Sequence, residues 1–328
     1  MRIAVLGAGA IGGLVGGLLA RSGTDVHLIA RGPHLAAIRR DGLRILGLDT
    51  DVVLRVPATD DPGEVGEADV VLLGLKAYSY ASCGPLLEPL LGPATTVVAM
   101  QNGIPWWYFH GHGGPHDGHR LESVDPGGSV SAVIPPGRVI GCVPYPAAEI
   151  VQPGVIRHLE GWQFPLGEPD RSNSDRGQRF AEAMTAAGFR SRLSDIRPQI
   201  WLKLMGNAAF NPISALTGAT MTGICQHPAT RALVARVMQE VLDVAAAAGD
   251  PPPTAFTVER RLAGAERVGD HKTSMLQDLE NGKPLETAAL LTAVIEIADL
   301  TGVPTPSLRA IEATVDLMWQ TRSGAQPS

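Results

Sequence analysis

Residues 2–12 read R-I-A-V-L-G-A-G-A-I-G, a short apolar run followed at once by glycines in the pattern G-x-G-x-x-G. An uninterrupted apolar run of this length predicts a buried parallel strand. The next residues have the apolar spacing of a helix that ends before Gly23, and residues 25–29 predict a second strand. The glycine motif therefore lies between a strand and a helix at the start of a βαβ unit, the context in which it binds a dinucleotide.

The three glycines of the motif have separate expected roles. Gly7 permits a tight turn, Gly9 lets the backbone approach a pyrophosphate, and Gly12 allows the helix to pack closely on the strand. The helix N-terminus then presents N–H groups and a positive dipole to the phosphates. A glycine-rich turn without a ligand is the alternative. We expect the cofactor to contact the whole loop, which comprises Gly7, Ala8, Gly9, Ala10, Ile11 and Gly12.

The residue at the end of the second strand indicates which dinucleotide is bound. NAD-binding proteins usually carry an Asp or Glu there for the ribose 2′-hydroxyl, whereas this chain has Arg31. A guanidinium suits a 2′-phosphate, so the sequence favours NADPH over NADH. A solvated surface arginine is the alternative.

Polar residues also follow two later apolar runs. The run at 69–75 ends at Lys76, and the run at 95–100 ends at Gln101 and Asn102. Ligands of open α/β sheets bind at the carboxyl ends of parallel strands, so these three residues are candidate contacts for the ribose or nicotinamide of the cofactor. Loop capping and turn formation, which Asn-Gly does readily, is the alternative.

Everything downstream of Ser194 has a helical pattern, so we place a domain boundary near residue 193. The predicted fold is an α/β N-terminal Rossmann-type dinucleotide-binding domain over 1–193, followed by an all-α C-terminal domain over 194–328. Short β-type runs at 129–134, 138–143, 148–151 and 154–159 predict a hairpin-rich edge to the N-terminal sheet. Helices of the second domain are predicted at about 195–210, 229–248, 253–265, 285–300 and 306–321.

The first of these helices carries an unusual polar row. Lys203, Asn207 and Asn211 stand at i, i+4 and i+8, which places them on one face of a continuous helix. Most other positions are apolar, and an unpaired polar group in a buried helix costs about 1–3 kcal/mol. Either the protein or a ligand must supply the partners, and a hydrogen-bonded structural lysine is the alternative. Pro212 disfavours helical geometry at the residue before it, so we expect Asn211 at a helix break.

Residues 104–128 form a long insertion that contains four aromatic residues and four histidines among glycines. We interpret it as a flexible flap whose aromatic side chains line or cover a pocket, and ordinary packing under a loop is the alternative. The histidine density raises the idea of a metal, but the spacing lies on no regular element and brings no cysteine, so no metal site is predicted.

The composition is that of an ordinary globular protein. The 328 residues are 45% hydrophobic, the net charge is −6, and no basic stripe is present, which argues against nucleic acid as a partner. Three widely spaced cysteines suggest neither a disulfide framework nor a zinc cluster, so we expect a cytoplasmic protein. No stretch of about 18 uninterrupted apolar residues occurs, and no membrane partner is expected.

Several motifs together resemble the ketopantoate reductase family, whose members reduce 2-dehydropantoate to pantoate with NADPH. The resemblance spans nearly the whole chain. It rests on G-A-G-A-I-G at 7–12, G-L-K at 74–76, Q-N-G at 101–103, W-x-K-L-x-x-N-A-x-x-N-P-x-S-A-L-T at 201–217 and T-S-M-L-Q-D at 273–278, with Glu286 twelve residues after Ser274.

The resemblance implies a role for each of these polar residues. Lys203 would be the catalytic acid, and Asn207, Asn211 and Ser274 would bind the substrate. Glu286 would support the catalytic end, although a carboxylate that caps the helix it precedes is an alternative. Asn102 would lie near both the nicotinamide and the substrate, and the active site of the family lies in the cleft between its two domains.

The chemistry agrees with this assignment. Hydride delivery to a ketone builds negative charge on the carbonyl oxygen, and a cation that also donates a proton meets that requirement. Lys203 supplies both functions. The asparagines offer donors and an acceptor, so they can hold the carboxylate and hydroxyl of the substrate without adding charge.

Two alternatives remain open at this point. Family members commonly continue Q-N-G with a short glycine-rich turn that ends in an acidic residue, whereas this chain has the long aromatic insertion. The substrate could therefore be a different, bulkier 2-oxo acid or ketone. A non-catalytic NADP(H)-binding regulator is the second alternative, but it would need only the N-terminal half. We expect a small-molecule 2-oxo acid as the partner, and the apolar C-terminal helices are compatible with a homodimer.

Overall fold

The computed structural model describes residues 1–48, 50–267, 269–270 and 272–323. The backbone divides into two compact units. Unit 1 consists of Met1–Gln101, Trp107–Arg120 and Gly128–Ile196, and unit 2 consists of Asn102–Trp106, Leu121–Gly127 and the chain from Arg197 onward. The chain thus contributes two short segments to unit 2 well before residue 193. The assignment of separate functions to residues 1–193 and 194–328 stays a prediction.

Unit 1 contains two sheets. The larger has eight strands in the order β12-β11-β8-β7-β6-β1-β2-β5, and its strand pairs are parallel except for β8 with β11. Its strands are β1 (Arg2–Leu6), β2 (Asp25–Ile29), β5 (Ala58–Thr59), β6 (Ala68–Leu73), β7 (Leu91–Met100), β8 (Val139–Cys142), β11 (Gln163–Gly167) and β12 (Arg190–Leu193). The smaller has the order β4-β3-β10-β9, with β3 (Leu43–Gly47), β4 (Thr50–Leu54), β9 (Ala147–Gln152) and β10 (Val155–Glu160).

The register of the large sheet aligns the carboxyl ends of four strands. Leu6 of β1 pairs with Ile29 of β2 and with Leu73 of β6, and Leu73 pairs with Ala99 of β7. The segments that follow these strands therefore leave the sheet at one edge, because parallel strands all end on the same side. That edge is where open α/β sheets bind ligands.

Among the described residues of unit 1, the α-helices are α1 (Ala10–Arg21), α2 (Gly32–Asp41), α3 (Gly84–Leu87), α4 (Ser129–Val133) and α5 (Asp175–Ala186). Helix α1 lies between the two sheets, and its glycines allow both sheets to pack closely against it. A Cβ at Gly16 would lie 2.7 Å from Leu28 of the large sheet, while one at Gly13 would lie 2.5 Å from Ile156 of the small sheet. The glycine content of α1 thus follows from its position between two packed layers.

The small sheet corrects the predicted hairpin-rich edge. The runs at 148–151 and 154–159 form the hairpin β9–β10, but β10 pairs with β3 in the separate sheet instead of extending the large one. The sequence interpretation also missed β3, β4 and β11. Strand β3 and its partner β4 alternate in burial, which is the pattern of strands with one covered face.

The predicted strand at 129–134 is wrong, because Ser129–Val133 form helix α4. The two buried side chains of this stretch are Val130 and Ile134, which stand at i and i+4, and the Ile134 N–H donates to the Val130 carbonyl at 2.8 Å. Short apolar runs do not distinguish a helical turn from a strand by pattern alone. The burial of Val130 and Ile134, which are four residues apart, favours a helical turn in this stretch.

From Arg197 onward the described residues form helices without strands. A π-helical turn over Ala288–Thr292 leads directly into α11. The α-helices are α6 (Arg197–Thr217), α7 (Met221–Gln226), α8 (Pro228–Ala247), α9 (Val258–Arg267), α10 (Ser274–Glu280), α11 (Ala293–Thr301) and α12 (Pro306–Ser323). The predicted fold class, an α/β Rossmann-type domain followed by an all-α C-terminal region, is confirmed.

The expected helix break at Asn211 is wrong. Helix α6 continues through Pro212 to Thr217, and Asn211, Pro212 and Ile213 are all buried. A proline inside a helix removes one backbone hydrogen bond and crowds the preceding turn. Packing on both sides of the proline retains the helix here, so Lys203, Asn207 and Asn211 share one continuous helix.

No helix in the described part of the chain is both long enough and apolar enough to cross a membrane. All three cysteines, Cys83, Cys142 and Cys225, are buried, and none of them forms a disulfide bond within the described residues.

Candidate active site

The glycine motif forms a backbone cradle at the end of β1. A Cβ at Gly12 would lie 2.3 Å from the Gly7 carbonyl oxygen, and a Cβ at Gly74 would lie 2.4 Å from the same oxygen. Gly7 itself has φ of +96°, a conformation that side chains with a Cβ rarely adopt. Three backbone segments therefore meet at distances that only glycine permits. The positive φ of Gly7 agrees with its predicted role in a tight turn, and the contact at Gly12 agrees with its predicted role in close packing. The role of Gly74 was not predicted, although the G-L-K motif contains it.

The middle glycine of the motif faces open space. A Cβ at Gly9 would have no protein atom within 4 Å, and Gly9 is the N-cap of α1 without a side-chain hydrogen bond to the helix. An uncapped helix N-terminus next to open space is the arrangement that receives a phosphate. The loop from Gly7 to Gly12 therefore fits the pyrophosphate of a dinucleotide.

Arg31 occupies the N-cap position of α2, directly after β2, and is exposed. Three residues later His34 faces the interior of unit 1, where its Nδ1 accepts a hydrogen bond from the Gly154 N–H at 3.0 Å. Burial lowers the pKa of His34, while the backbone of Ala8 opposes that shift. A neutral imidazole is therefore favoured between the cradle and the β9–β10 turn.

Lys76 and Gln101 follow β6 and β7 at the aligned edge of the sheet. Lys76 is half-buried and begins a short 3₁₀ turn over Ala77–Ser79, and Gln101 is buried with its N–H bonded to the Cys142 carbonyl at 3.3 Å. Lys76 lies beyond the end of β6, which pairs with β1, and Gln101 lies beyond the end of β7, which pairs with β6. Their predicted contacts with the cofactor stay predictions.

Asn102 and Gly103 open a short segment of unit 2 that docks on the π-helical turn. The Ile104 N–H donates to the Ala289 carbonyl at 2.8 Å, and a Cβ at Gly103 would lie 2.3 Å from that carbonyl oxygen. Gly103 also has φ of +77°. The glycine of the Q-N-G motif is thus needed for close approach, and it holds the neighbouring Asn102 in place. The side-chain oxygen of Asn102 is buried and has no hydrogen-bond partner among the described residues.

Helix α6 carries the predicted substrate row. Lys203 and Asn207 are half-buried, whereas Asn211 is 5% exposed. The Asn211 amide nitrogen lies 3.5 Å from the Ser274 hydroxyl, which is exposed at the start of α10. The structure therefore brings together two of the predicted substrate-binding residues that are 63 positions apart in sequence.

Glu286 lies directly before the turn that precedes α11 and is 8% exposed. Its carbonyl accepts the N–H of Leu290 at 3.1 Å. The π-helical turn that follows packs on α6 and, through Ala289, holds the segment with Asn102. Turns of this kind occur frequently at functional sites. This π-helical turn was not predicted from the sequence, because no local pattern distinguishes a π-turn from an α-turn.

The aromatic run of the insertion is buried. Trp106, Trp107, Tyr108 and Phe109 are each at most 5% exposed. The ring of Phe109 contacts the rings of His112, His116 and His119 at centroid distances of 5.3, 5.8 and 5.9 Å. This burial favours the packing interpretation over the flap. Among the described residues, no group of three or more His, Cys, Asp or Glu side chains is placed to hold a metal.

A parallel sheet with a glycine cradle at its edge, together with a helical unit that carries a lysine and carboxamide row, is typical of a dinucleotide-binding oxidoreductase. Comparison with known proteins identifies its family. A family model described as Ketopantoate reductase PanE/ApbA matches residues 3–106, and one described as Ketopantoate reductase PanE/ApbA C terminal matches residues 195–318.

Individual proteins agree with the family models. A 2-dehydropantoate 2-reductase of Mesorhizobium japonicum is 49% identical over 317 residues, which are 96% of this chain and 97% of that protein. A crystal structure from Ralstonia solanacearum, also assigned to the ketopantoate reductases, has 40% identity and a TM-score of 0.91 and covers 98% of both chains. A D-mandelate dehydrogenase solved with NADH and anilino(oxo)acetate shares the fold at 22% identity, with a TM-score of 0.80 over 98% of this chain and 99% of that one.

The chain belongs to the ketopantoate reductase family, as its motifs predicted. It is therefore an oxidoreductase that acts on CH–OH groups, and its family depends on a nicotinamide dinucleotide.

Proposed function

We propose that this protein reduces 2-dehydropantoate to pantoate with NADPH, a step of pantothenate biosynthesis. The observation that carries the proposal is the row on α6, where one continuous helix holds Lys203, Asn207 and Asn211 and the last of these meets Ser274 at 3.5 Å. The 2-dehydropantoate 2-reductase that is 49% identical over almost the full length supports the choice of substrate. Residues 1–193 are assigned to NADPH binding and residues 194–328 to substrate binding and catalysis.

Each polar residue has a task in this reaction. A bound reduced nicotinamide supplies a hydride for the 2-oxo carbon. Lys203 is the general acid: its ammonium stabilises the negative charge that develops on the carbonyl oxygen and donates the proton that completes the alcohol. Asn207, Asn211 and Ser274 hold the polar groups of the substrate. Glu286 supports the catalytic end as a second catalytic residue.

Asn102 is proposed to contact both the nicotinamide and the substrate. Its buried side-chain oxygen has no hydrogen-bond partner among the described residues, and a buried acceptor of this kind is costly unless a ligand donates to it. The carboxamide group of the nicotinamide or the hydroxyl of the substrate could supply such a donor. Gln101 and Lys76, at the neighbouring strand ends, contribute to the same cofactor site.

The assignment of Lys203 is tested by Lys203→Ala. We expect turnover to fall on the order of 1,000-fold, because general acid catalysis contributes that much, while NADPH affinity changes little. The control is Lys272→Ala, since Lys272 is an exposed lysine paired with Glu280 at 2.7 Å. NADPH absorbance measures turnover in both variants. Comparable turnover in Lys203→Ala would overturn the assignment.

The preference for NADPH is a separate proposal that rests on Arg31. Its exposed guanidinium at the N-cap of α2 can pair with a 2′-phosphate, and no acidic residue takes its place. Arg31→Ala should raise KM for NADPH by about 10- to 100-fold, the value of a lost charge-assisted hydrogen bond, and leave KM for NADH unchanged. Arg40→Ala on the same helix, which removes an exposed partner of Asp41, is the control. Equal losses for both cofactors would contradict the proposal.

The identity of the substrate is tested by a panel of 2-oxo acids of increasing size. The burial of the aromatic run supports 2-dehydropantoate over a bulkier substrate, because rings packed in the interior do not form an open wall. A higher kcat/KM for a larger 2-oxo acid would favour the alternative. Tight NADPH binding without oxidation by any member of the panel would indicate a non-catalytic regulator. A cytoplasmic location and a homodimer stay predictions.

A further inference from the structure

Arg261 reaches from its own helix onto α6. Helix α9 packs against α7 and α8, yet the guanidinium of Arg261 lies where a side chain at Gly206 would be. A Cβ at Gly206 would be 2.5 Å from Nε, 2.7 Å from Nη2 and 3.0 Å from Cζ of Arg261. The Arg261 Cζ also lies 5.9 Å from the centroid of the Phe210 ring. Glycine at position 206 is therefore what leaves room for this cation on α6.

The contacted positions adjoin the polar row. Gly206 and Phe210 follow Lys203 by three and seven residues, so at about 100° per residue both lie within about 60° of Lys203 around the helix axis. Asn207 lies on the other side of Lys203, about 40° away. Lys203 and Asn207 are half-buried and so is Arg261, whereas Gly206 and Phe210 are buried. A second cation thus borders the row that is proposed to hold the substrate.

A 2-oxo acid carries a negative charge on its carboxylate. Lys203 is assigned to the carbonyl oxygen, and the other proposed substrate contacts, Asn207, Asn211 and Ser274, can donate hydrogen bonds to a carboxylate but do not neutralise its charge. A carboxylate is held most strongly by a guanidinium, which can donate two parallel hydrogen bonds. We propose that Arg261 binds the carboxylate of the 2-oxo acid and thereby selects acids over neutral ketones. This inference rests on the proposed function of the α6 row.

The competing explanation is that Arg261 only fills the space between α9 and α6. Both explanations predict that removal of the arginine disturbs the protein. They differ in whether the effect of removing Arg261 depends on the charge of the substrate. A packing role should affect charged and neutral substrates equally. The comparison of a 2-oxo acid with its neutral methyl ester therefore separates them.

The experiment measures KM and kcat for 2-dehydropantoate and its methyl ester, at saturating NADPH, in the wild type, Arg261→Gln and Arg261→Lys. Loss of a charge-assisted hydrogen bond should raise KM for the acid by about 10- to 100-fold in Arg261→Gln. Arg261→Lys retains the charge and should show a smaller rise. KM for the ester, kcat and KM for NADPH should change little. The control is Arg260→Gln, since Arg260 is the adjacent exposed arginine, whose Cζ lies 5.5 Å from the Phe256 ring centroid.

A second variant tests the same cation without removing it. The methyl group of Gly206→Ala would displace the Arg261 guanidinium, so the acid should lose affinity and the ester should not. This variant decides the matter if Arg261→Gln fails to fold. Equal losses for acid and ester, or no loss for the acid, would overturn the assignment of Arg261. A wild-type protein that reduces no 2-oxo acid would instead overturn the proposed function itself.

Discussion

The cradle of unit 1 and the α6 face of unit 2 use glycine in different ways. In the cradle, Gly7, Gly12 and Gly74 bring backbone against backbone, and Gly9 leaves an open space beside a helix N-terminus. On α6, Gly206 leaves room for the side chain of Arg261. The cradle thus presents backbone N–H groups, which suit any phosphate, whereas the α6 face presents side chains, which can be matched to one substrate.

The cradle and the α6 face should therefore respond to different kinds of substitution. A backbone cradle should lose binding when any Cβ is added within it, whatever the chemistry of the new side chain. A surface made of side chains should lose binding when a particular charge or amide is removed. The predictions that follow test this distinction.

The largest expected effect is that of Gly12→Ala. Its methyl group would be 2.3 Å from the backbone oxygen of Gly7, so one of the two segments must move, at a cost of about 3 kcal/mol of unfolding free energy. Cofactor binding should be lost with it. Urea denaturation and NADPH titration measure both. Gly264→Ala in α9 is the matched control, because a Cβ there has no atom within 4 Å and alanine favours the helix by up to about 1 kcal/mol. Equal stability of the two variants would contradict the packing argument.

Gly103→Ala should have the next largest effect, and it extends the comparison to a backbone contact in unit 2. The substitution combines a positive φ of +77° with a Cβ only 2.3 Å from the Ala289 oxygen, which together cost about 2–3 kcal/mol. We expect a higher KM for the 2-oxo acid, since Asn102 is displaced. Gly113→Ala, with φ of +76° and no atom within 4 Å, isolates the cost of φ alone. If Gly103→Ala loses no more unfolding free energy than Gly113→Ala, the contact between Gly103 and the Ala289 oxygen is unimportant for stability.

Gly9→Ala should separate cofactor binding from folding. Because the space next to Gly9 is open, the free energy of unfolding should be unchanged, but the added methyl group would occupy the path of the pyrophosphate. We expect a loss of NADPH affinity of about tenfold, or about 1.4 kcal/mol. Isothermal titration with NADPH measures it, and Gly137→Ala, where the space is also open, is the control. An unchanged NADPH affinity would mean that the pyrophosphate does not lie next to Gly9.

The smallest expected effect concerns His34 beside the cradle. Burial lowers the pKa of His34, so the unfolded chain, in which histidine titrates near 6.5, takes up the proton first as the pH falls. This residue therefore favours the folded state above about pH 6.5 and disfavours it below. His34→Gln keeps a hydrogen-bond acceptor for Gly154 and should reduce the loss of stability between pH 7.5 and 5.5. Denaturation of the wild type and the variant at both pH values measures this, and an equal loss of stability in both proteins would contradict the role of His34.

Much of the fold could be predicted because its signals are local. The alternation of an apolar run, a glycine loop and a helical stripe predicted β1, α1 and β2 within a residue. The long helices α8 and α12 were predicted within two residues from their apolar spacing. Errors occurred where the local signal was ambiguous. The short run at 129–134 formed a helix, and β10 joined β3 across more than one hundred residues.

The candidate site divides in the same way. The residue types and spacings predicted the Gly7–Gly12 loop and the row of Lys203, Asn207 and Asn211 as candidate site residues. Both are patterns of residues that lie close together in the sequence. They did not reveal that Gly74 closes the cradle or that a π-turn holds the segment of Asn102. Those contacts join residues far apart in the chain.

Sequence alone predicted the family, the α/β-then-helical fold and the residues that are proposed to carry the chemistry, because backbone conformation and helical period depend on neighbours a few positions away. The folded structure was needed to show that α6 runs unbroken through Pro212, that Asn211 meets Ser274, that the aromatic run is buried and that Arg261 lies on Gly206. Packing between distant segments outweighs local preference at these positions, since burial of apolar surface and close approach of backbones are properties of the folded chain alone.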